Sequence, residues 1–300
     1  MSHVALVGAT ASGKSALALA LARRDPSIEL VSVDSMQVYR GMDVGTAKPT
    51  PAEQAEVPHH LIDLAEPWER FTVTRFQQHF REARASIEQR GKRPVLVGGT
   101  GLYLRAVVDD LVIPEEFPRI RTDLEAQTDT VALHRRLAAL DPGAAARMAP
   151  TNRRRVLRAL EVTIGSGRPF SSYGPGMETY PETGFRLLGV ELPANVVADR
   201  IAARFQDQLA QGFVEEVGRL AADPRGLSPT ARQALGYREL LAHVAGETSL
   251  DAAVELAVLR TRRFARRQRS WFGRDPRIEW FRAADPAEIL EPLSRVVLAD

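Results

Sequence analysis

The stretch VALVGATASGKSALAL, residues 4–19, decides the fold of this chain. A short apolar run at residues 4–7 leads into a glycine-rich loop at residues 8–15, which leads into residues that favour a helix. The loop has the spacing G-x-x-x-x-G-K-[ST] in the strand–loop–helix context of a phosphate-binding loop. In such a loop backbone N–H groups face one concavity, and the following helix adds the positive end of its dipole. The sequence therefore predicts a binding site for a di- or triphosphate.

The residues of this loop also predict a magnesium site. Lys14 supplies a positive charge for the phosphates, and the Ser15 hydroxyl is placed to coordinate Mg²⁺ on the phosphate chain. We therefore expect Mg²⁺ as the cofactor and Ser15 as its protein ligand. The predicted phosphate-binding residues are Gly8, Ala9, Thr10, Ala11, Ser12, Gly13, Lys14 and Ser15.

The first third of the chain alternates strand-like and helix-like segments. Strands are predicted at 4–8, 29–34 and 94–98, and helices at 14–24 and 73–90. This alternation is typical of a parallel α/β sheet, in which ligands bind outside the carboxyl ends of the strands. Residues 8–15, Asp34 and residues 98–100 all lie at such ends, so we expect them to converge.

The middle of the chain has a different pattern. Residues 119–163 look helical throughout, residues 165–184 look like a loop, and a strand is predicted at 185–192. Further helices are predicted at 194–221, 230–245 and 251–272. We therefore predict an α/β fold with a P-loop NTPase-like parallel-sheet core, residues 1–111 and 185–300, and a helical insertion domain at 112–184.

Composition limits the class of protein. The 300 residues are 44% hydrophobic, which is ordinary for a globular chain, and they include no cysteine that could form a disulfide or a thiolate metal site. No signal peptide and no apolar run of membrane-spanning length is evident. We therefore expect a soluble cytoplasmic protein without a membrane partner.

Arginines cluster in two parts of a chain whose formal net charge is only +2. Residues 147–168 contain six arginines and one acid, and residues 260–277 contain eight arginines and one acid. The guanidinium group binds two phosphate oxygens at once, so two such clusters indicate a polyanionic partner larger than a nucleotide. The alternative is a pair of solvated helix faces.

Asp34 is the acid best placed at a strand end near the loop. It could act as a general base, anchor a metal, or cap the turn that follows. We favour the base, because Ser35 and Gln37 beside it suit a polar substrate. Arg200 and Arg204 share one face of a predicted helix beside an apolar stripe, so they either face solvent or reach into the phosphate site.

Several motifs, in their order and spacing, resemble those of the bacterial tRNA dimethylallyltransferases, also called isopentenylpyrophosphate transferases. The resemblance covers essentially the whole chain, and the motifs together are far more specific than the loop alone. They are GATASGKS (8–15), SVDSMQVY (32–39), GMDVGTAKP (41–49), PHHLID (58–63), VGGTGLY (97–103), RRVLRALEV (154–162), QALGYRE (233–239) and RRQRSWF (266–272).

The resemblance implies transfer of a dimethylallyl group from dimethylallyl diphosphate to the exocyclic amine of the adenosine 3′ of the anticodon, with Mg²⁺ required. It implies that Asp34 is the base and that Lys14 and Arg204 act on the diphosphate. Ala9 stands where the family commonly has proline, which changes the stiffness of the loop. The partners are a tRNA anticodon stem-loop and the diphosphate donor, and we expect a monomer. The predicted tRNA-contacting residues are Asp34, Ser35, Met36, Gln37, Thr100, Arg154, Arg155, Val156, Leu157, Arg158, Arg263, Arg266 and Arg267.

Three other functions remain open at this stage. An isopentenyltransferase acting on free adenine nucleotide would share residues 8–39 but would have little use for two arginine clusters. A small-molecule kinase would bind and hydrolyse ATP, yet the strand at 94–98 ends in Gly-Gly-Thr and not in the second acid such enzymes use for Mg²⁺. A non-catalytic RNA-binding protein would not need Lys14, Ser15 and Asp34.

Overall fold

The computed structural model describes residues 3–298 and divides into two compact units. One unit combines the residues up to Val108 with those from Glu182 onward, and the other is Asp109–Pro181. The second unit therefore begins and ends three residues before the predicted insertion.

The first unit is built on a six-stranded sheet. Its strands are β1 (His3–Gly8), β2 (Ile28–Val33), β3 (His59–His60), β4 (Arg93–Gly98), β5 (Phe185–Glu191) and β6 (Ile278–Arg282). The spatial order is β3-β2-β4-β1-β5-β6, and every neighbouring pair is parallel. This confirms the predicted parallel α/β core. Because all the strands run the same way, their carboxyl ends share one edge of the sheet.

Helices account for most of the remaining chain. In order they are α1 (Lys14–Arg24), α2 (Pro51–Glu56), α3 (Val73–Gln89), α4 (Gly101–Val108), α5 (Pro118–Glu125), α6 (Thr130–Leu140), α7 (Pro142–Ala146), α8 (Arg153–Ser166), α9 (Ala194–Ala210), α10 (Phe213–Ala221), α11 (Tyr237–Val244), α12 (Leu250–Phe272) and α13 (Pro286–Val297). Within residues 3–298 no helix is both long enough and apolar enough to span a bilayer.

The sheet of the first unit has apolar clusters on both faces. Along β1, Ala5 and Val7 belong to one cluster, whereas Val4 and Leu6 belong to the other. This alternation follows from the two-residue period of a strand. The second cluster also includes α1 and α13, which an ion pair of 2.7 Å between Arg24 and Glu291 joins at the surface. The sheet is thus covered on both sides, as a parallel sheet requires.

The second unit has an apolar cluster of its own. Helices α5 to α8 surround it, and Leu137, Val156 and Leu160 are among its fully buried members. The Asn152 side chain caps α8 by accepting a hydrogen bond of 3.3 Å from the Arg155 N–H group. The helical character predicted for residues 119–163 is therefore present, divided among four helices.

The C-terminal third differs from the predicted elements in three places. The helix predicted at 194–221 is two helices, because Gly212 takes a left-handed conformation with φ 90° between α9 and α10. The segment predicted as one helix at 230–245 is a short 3₁₀ turn, Ala231–Gln233, followed by α11. Strand β6 and helix α13 were not predicted. Strand β6 lies at the sheet edge and buries only Ile278 fully, so its sequence lacks the apolar run of a central strand.

Candidate active site at the carboxyl ends of the strands

The phosphate-binding loop lies where β1 ends and α1 begins. Its two glycines are required by different features. A Cβ at Gly8 would lie 2.5 Å from the carbonyl oxygen of Val190 on β5, so only glycine lets the two backbones approach. Gly13 has φ 90°, a left-handed conformation that favours glycine, and a Cβ there would lie 2.8 Å from Pro286 at the start of α13. The loop is therefore enclosed on both sides.

Not every N–H group of this loop is available to a ligand, which corrects the expectation from its sequence. The Thr10 N–H donates to the side chain of Gln268 at 2.8 Å, and the Ser12 N–H donates to the Ala9 carbonyl at 3.3 Å. The first N–H groups of α1 have no acceptor within their own helix, as at any helix N-terminus. The concavity therefore offers the start of α1, with Lys14 and Ser15, to an anion.

Two cations point at the loop and have no acidic partner among residues 3–298. Lys14 Nζ donates to the Ala9 carbonyl at 3.2 Å, and a guanidinium nitrogen of Arg204, on α9, donates to the Thr10 hydroxyl at 2.8 Å. Neither side chain forms an ion pair within residues 3–298. Arg200, one turn earlier on α9, donates to the Ala11 carbonyl at 2.9 Å. Both arginines of the predicted pair thus reach the loop.

Burial of these cations shifts their titration. Burial lowers the pKa of Lys14 from 10.5 to about 8; the Asp34 carboxylate opposes that shift and Arg204 adds to it. Burial likewise lowers the pKa of the Arg204 guanidinium, again against the effect of Asp34. The Ser12 hydroxyl is buried in the same loop and has no hydrogen-bond partner within residues 3–298. Positive groups and an unsatisfied hydroxyl together fit a multiply charged anion such as diphosphate.

Asp34 follows β2 directly and faces the same edge. Its Oδ1 accepts hydrogen bonds from the Met36 N–H at 2.8 Å and the Gln37 N–H at 3.4 Å, so the capping role considered from the sequence is present. Its Oδ2 accepts no hydrogen bond from residues 3–298. The turn thus fixes the carboxylate while leaving one oxygen for another group, and capping does not exclude a role as a base.

The segment beside Asp34 is linked to the end of β4. Thr100 Oγ1 accepts a hydrogen bond of 3.2 Å from the Ser35 N–H. The Gln37 amide donates to the carbonyl groups of Thr46 and Ala47 at 3.2 and 3.1 Å, and its oxygen accepts from Ser32 at 2.7 Å. The Gln37 side chain therefore holds the loop at residues 41–49, and contact between its amide and a base requires exchange of these bonds.

That loop is anchored by residues whose role the sequence did not reveal. Buried Glu216, on α10, accepts N–H groups of Asp43, Val44 and Gly45 at 2.9, 2.8 and 3.2 Å. It also accepts the Tyr237 hydroxyl at 2.5 Å, and burial, with Glu216 next in effect, raises the pKa of Tyr237. A polar residue at a position where helical periodicity expects an apolar one was the available signal.

The arginines of α8 divide into exposed and internally bonded groups. Arg154 and Arg155 are exposed in the first turn of α8. Arg158 instead pairs with Glu161 at 2.7 Å and donates to the Pro114 carbonyl at 2.7 Å. Val156 and Leu157 are 0% and 3% exposed in the core of the second unit. Their predicted contact with tRNA is therefore wrong for their side chains, because the apolar stripe of α8 faces inward.

The arginines of α12 divide in the same way. Arg263, Arg266 and Arg267 are exposed and form no ion pair within residues 3–298. Arg260 pairs with Glu239, and Arg269 pairs with Glu191 at 2.5 Å. Part of this cluster is thus balanced internally, as the solvated-face alternative held, and three of its arginines are available to a polyanion.

The side chains present fit a magnesium ion only together with a ligand. Within residues 3–298 no group of three or more His, Cys, Asp or Glu side chains could hold a metal. Ser15 is exposed in the first turn of α1. Mg²⁺ commonly takes one or two protein ligands and completes its shell with substrate phosphates and water. A phosphate ligand beside Ser15 would supply the missing oxygens.

Comparison with known proteins adds family matches over nearly the whole chain. A protein-family model described as "IPP transferase" matches residues 37–275, and a second family model, described as "Isopentenyl transferase", matches residues 1–65. A tRNA dimethylallyltransferase of Nocardioides sp. is 47% identical over 296 residues, covering 98% of this chain and 95% of that protein. One of Geobacter metallireducens is 46% identical over 283 residues, covering 92% and 91%.

Solved structures match equally far along the chain. The tRNA isopentenylpyrophosphate transferase of Bacillus halodurans superposes with a TM-score of 0.71 at 36% identity, covering 99% of this chain and 96% of that one. A eukaryotic dimethylallyltransferase acting on tRNA gives a TM-score of 0.82 at 25% identity, covering 99% of this chain and 78% of that one.

Proposed function

This chain belongs to the IPP transferase family of tRNA dimethylallyltransferases, and from that premise we propose how its own residues carry out the reaction. The family match confirms the resemblance drawn from the motifs. The protein is a prenyltransferase that transfers a dimethylallyl group to the adenosine 3′ of the anticodon in tRNA.

The donor binds in the phosphate-binding loop, with its diphosphate against the start of α1. Lys14 and Arg204 neutralise the diphosphate, and neither has an acidic partner in the part of the chain that the structure describes. These two unpaired cations, within electrostatic reach of Asp34, are the observation that carries this assignment. Charge grows on the diphosphate as it leaves, so fixed cations stabilise the transition state more than the bound donor.

The transfer is a substitution at the allylic carbon of the donor. The exocyclic nitrogen of the adenine forms a bond to this carbon, and the carbon–oxygen bond to diphosphate breaks with its electron pair leaving on the diphosphate. An amine on an aromatic ring is a poor nucleophile, so Asp34 accepts its hydrogen bond and then its proton. The hydrogen bonds from the Met36 and Gln37 N–H groups to Oδ1 hold the carboxylate so that Oδ2 faces the amine.

Magnesium would be held by the Ser15 hydroxyl together with phosphate oxygens of the donor. When bound, it supplies positive charge that offsets the charge growing on the leaving diphosphate. This assignment is supported by the exposed position of Ser15 in the first turn of α1.

The tRNA is bound mainly through phosphates, by exposed arginines of the two clusters. Arg154 and Arg155 on α8, and Arg263, Arg266 and Arg267 on α12, are the side chains that remain available. The reacting adenine must leave its stack to reach Asp34, at a cost of a few kcal/mol. Ser35 and Thr100, which lie beside Asp34, are placed to contact the flipped nucleotide. The tRNA substrate supports a cytoplasmic location.

A monomer is sufficient for the donor site, because every group named for it lies in one unit of one chain. Light scattering coupled to size-exclusion chromatography measures this directly. A dimer whose dissociation abolishes activity would contradict it.

The test of this mechanism combines substrate choice with one isosteric substitution. The protein is incubated with dimethylallyl diphosphate, Mg²⁺ and an anticodon stem-loop, and the nucleosides are analysed by mass spectrometry. The adenosine 3′ of the anticodon should gain one dimethylallyl group, whereas AMP in place of RNA should react poorly. Asp34→Asn should lower turnover by about 10²- to 10⁴-fold, the usual range for loss of a general base, with stem-loop binding retained.

Each arm has an outcome that contradicts the proposal. Near-normal turnover by Asp34→Asn would remove Asp34 from proton transfer. Efficient prenylation of AMP would favour the enzyme class that acts on free nucleotides. Robust ATP hydrolysis, or turnover supported by ATP in place of the donor, would favour a kinase.

A further inference from the structure

The buried stripe of α12 contains one amide side chain whose partners lie on other elements. Ala257, Thr261, Ala265, Gln268 and Phe272 are all buried along this helix. The Thr261 hydroxyl is satisfied within the helix, since it donates to the Ala257 carbonyl at 2.8 Å. Gln268, 7% exposed, instead bonds across to the carboxyl edge of the sheet.

Both ends of the Gln268 amide are used, and each end holds a different loop. Its Oε1 accepts the Thr10 N–H at 2.8 Å, and its Nε2 donates to the Gly99 carbonyl at 2.8 Å. A Cβ at Gly99 would lie 2.4 Å from that nitrogen, so the close approach depends on glycine. A single side chain therefore joins the loop after β1 to the loop after β4.

The two loops held by Gln268 carry different parts of the proposed site. On one side, the Thr10 hydroxyl accepts the hydrogen bond of 2.8 Å from Arg204, a proposed diphosphate ligand. On the other side, Gly99 precedes Thr100, whose hydroxyl accepts the Ser35 N–H next to Asp34. Gln268 thus lies between the groups that bind the leaving diphosphate and those that present the base.

We propose that Gln268 is a positioning residue that sets the diphosphate-binding loop relative to the Asp34 side of the site. The proposal rests on the proposed function, because it takes the loop at residues 8–15 as the donor site. Gln268 touches no reacting atom; it acts through Thr10, and through Thr10 on Arg204. Because Arg263, Arg266 and Arg267 occupy the exposed side of the same helix, it also connects a proposed tRNA-binding surface to the donor site.

Replacing the amide by an apolar side chain of similar length tests this role. Gln268→Met leaves the Thr10 N–H and the Gly99 carbonyl without their partner, so the loop loses its fixed position. We expect the dissociation constant for inorganic diphosphate with Mg²⁺, measured by calorimetry, to rise about tenfold, equivalent to about 1.4 kcal/mol. The KM for dimethylallyl diphosphate should rise in parallel, while stem-loop affinity stays within about twofold.

Gln77 provides a matched control. It is a buried glutamine on α3, 4% exposed, and its amide donates to the Ala106 carbonyl at 2.7 Å. Gln77→Met therefore also removes a hydrogen bond from a buried side-chain amide in the same unit. It should lower the melting temperature without changing diphosphate affinity. A structural role alone would give the two variants the same pattern.

A second variant disturbs the contact between the Gln268 amide and Gly99 by changing Gly99. Gly99→Ala places a methyl group against the Gln268 amide, and it should weaken diphosphate binding in the same way even if Gln268→Met does not fold. Unchanged diphosphate affinity in the folded variants would overturn the positioning role. Failure of the wild-type protein to bind diphosphate or donor would instead overturn the proposed donor site, so the two results are distinguishable.

Discussion

Lys14 makes donor binding depend on pH in a range where most lysines do not titrate. Burial sets its pKa at about 8 in the free protein, and bound diphosphate favours the charged form. Below pH 8 the charged side chain is present for the donor, and above pH 8 it is progressively lost. The affinity for diphosphate should therefore fall by about tenfold between pH 7 and pH 9.

The control is Lys14→Met, which should bind diphosphate weakly and with no such slope across the same range. Calorimetry at pH 7, 8 and 9 checks both proteins. Equal slopes in the two proteins would assign the titration to another group.

The lowered pKa of Lys14 affects folding stability in the opposite direction, because it raises stability as the pH increases. The lysine of the unfolded chain, with a pKa near 10.5, binds more protons than the buried one between pH 8 and pH 10.5. The free energy of unfolding therefore gains a contribution from Lys14 as the pH rises through that window. Conditions that weaken donor binding thus favour the folded free enzyme.

The residues of the site differ in how far the sequence could identify them. Lys14, Ser15 and Asp34 lie within or beside short motifs at strand ends, so local pattern was sufficient to place them at the candidate site. Gln268 and Glu216 act on loops more than 150 residues away, and only the folded sheet brings them there. The motif in α8 also did not show which of its side chains are exposed: Val156 and Leu157, predicted to contact tRNA, are buried.

At the scale of elements, the loop at residues 41–49 depends on α10 for its shape. Glu216→Gln would keep the size of the side chain but place an amide NH₂ among N–H and O–H donors. We expect the free energy of unfolding to fall by about 1–3 kcal/mol, the usual cost of unsatisfied buried groups. Because this loop holds Gln37 next to Asp34, kcat/KM for the stem-loop should fall more than diphosphate affinity.

Glu29→Gln is the matched control for that variant. Glu29 is also buried and bonded, to Arg90 and His60, but it lies at the opposite end of β2 from Asp34. It should lower stability without a selective loss in RNA turnover. Stem-loop turnover is measured for both variants, and their stability is measured by denaturant titration. The interpretation fails if both variants reduce stem-loop turnover to the same extent.

The exposed arginines of α8 and α12 define a second property at this scale. Contacts between arginine and phosphate release counterions, so stem-loop binding should weaken steeply with salt. Removing Arg154 and Arg155, or Arg263, Arg266 and Arg267, should reduce the log–log salt slope by about one or less for each lost phosphate contact. Fluorescence titrations at several salt concentrations measure the slopes.

The comparison variant replaces Arg23 and Arg24, which lie at the far end of α1 and pair with Glu56 and Glu291. Its salt slope should equal that of the wild type. If the variants on α8 and α12 also keep the wild-type affinity and slope, these arginines are solvated faces and the RNA surface lies elsewhere.

At the scale of the whole molecule, the sequence predicted the core better than its borders. Strong apolar runs identify the central strands β1, β2, β4 and β5, because a parallel sheet is buried on both faces. Strand β6 and helix α13 escaped prediction because edge strands are half exposed and a helix containing Pro292 departs from standard propensities. The break between α9 and α10 depends on the left-handed backbone conformation of Gly212, which hydrophobic periodicity does not predict.

The position of Pro286 beside Gly13 also affects when, during synthesis, the protein can first bind its donor. Among the helices of residues 3–298, α13 is synthesised after all the others, yet it covers α1, which is synthesised before them. Until α13 is made, the face of α1 that it covers stays open, and the loop at residues 8–15 lacks one of its walls. The nascent chain should therefore acquire donor binding only after α13 has been made, and so after both arginine-bearing helices, α8 and α12.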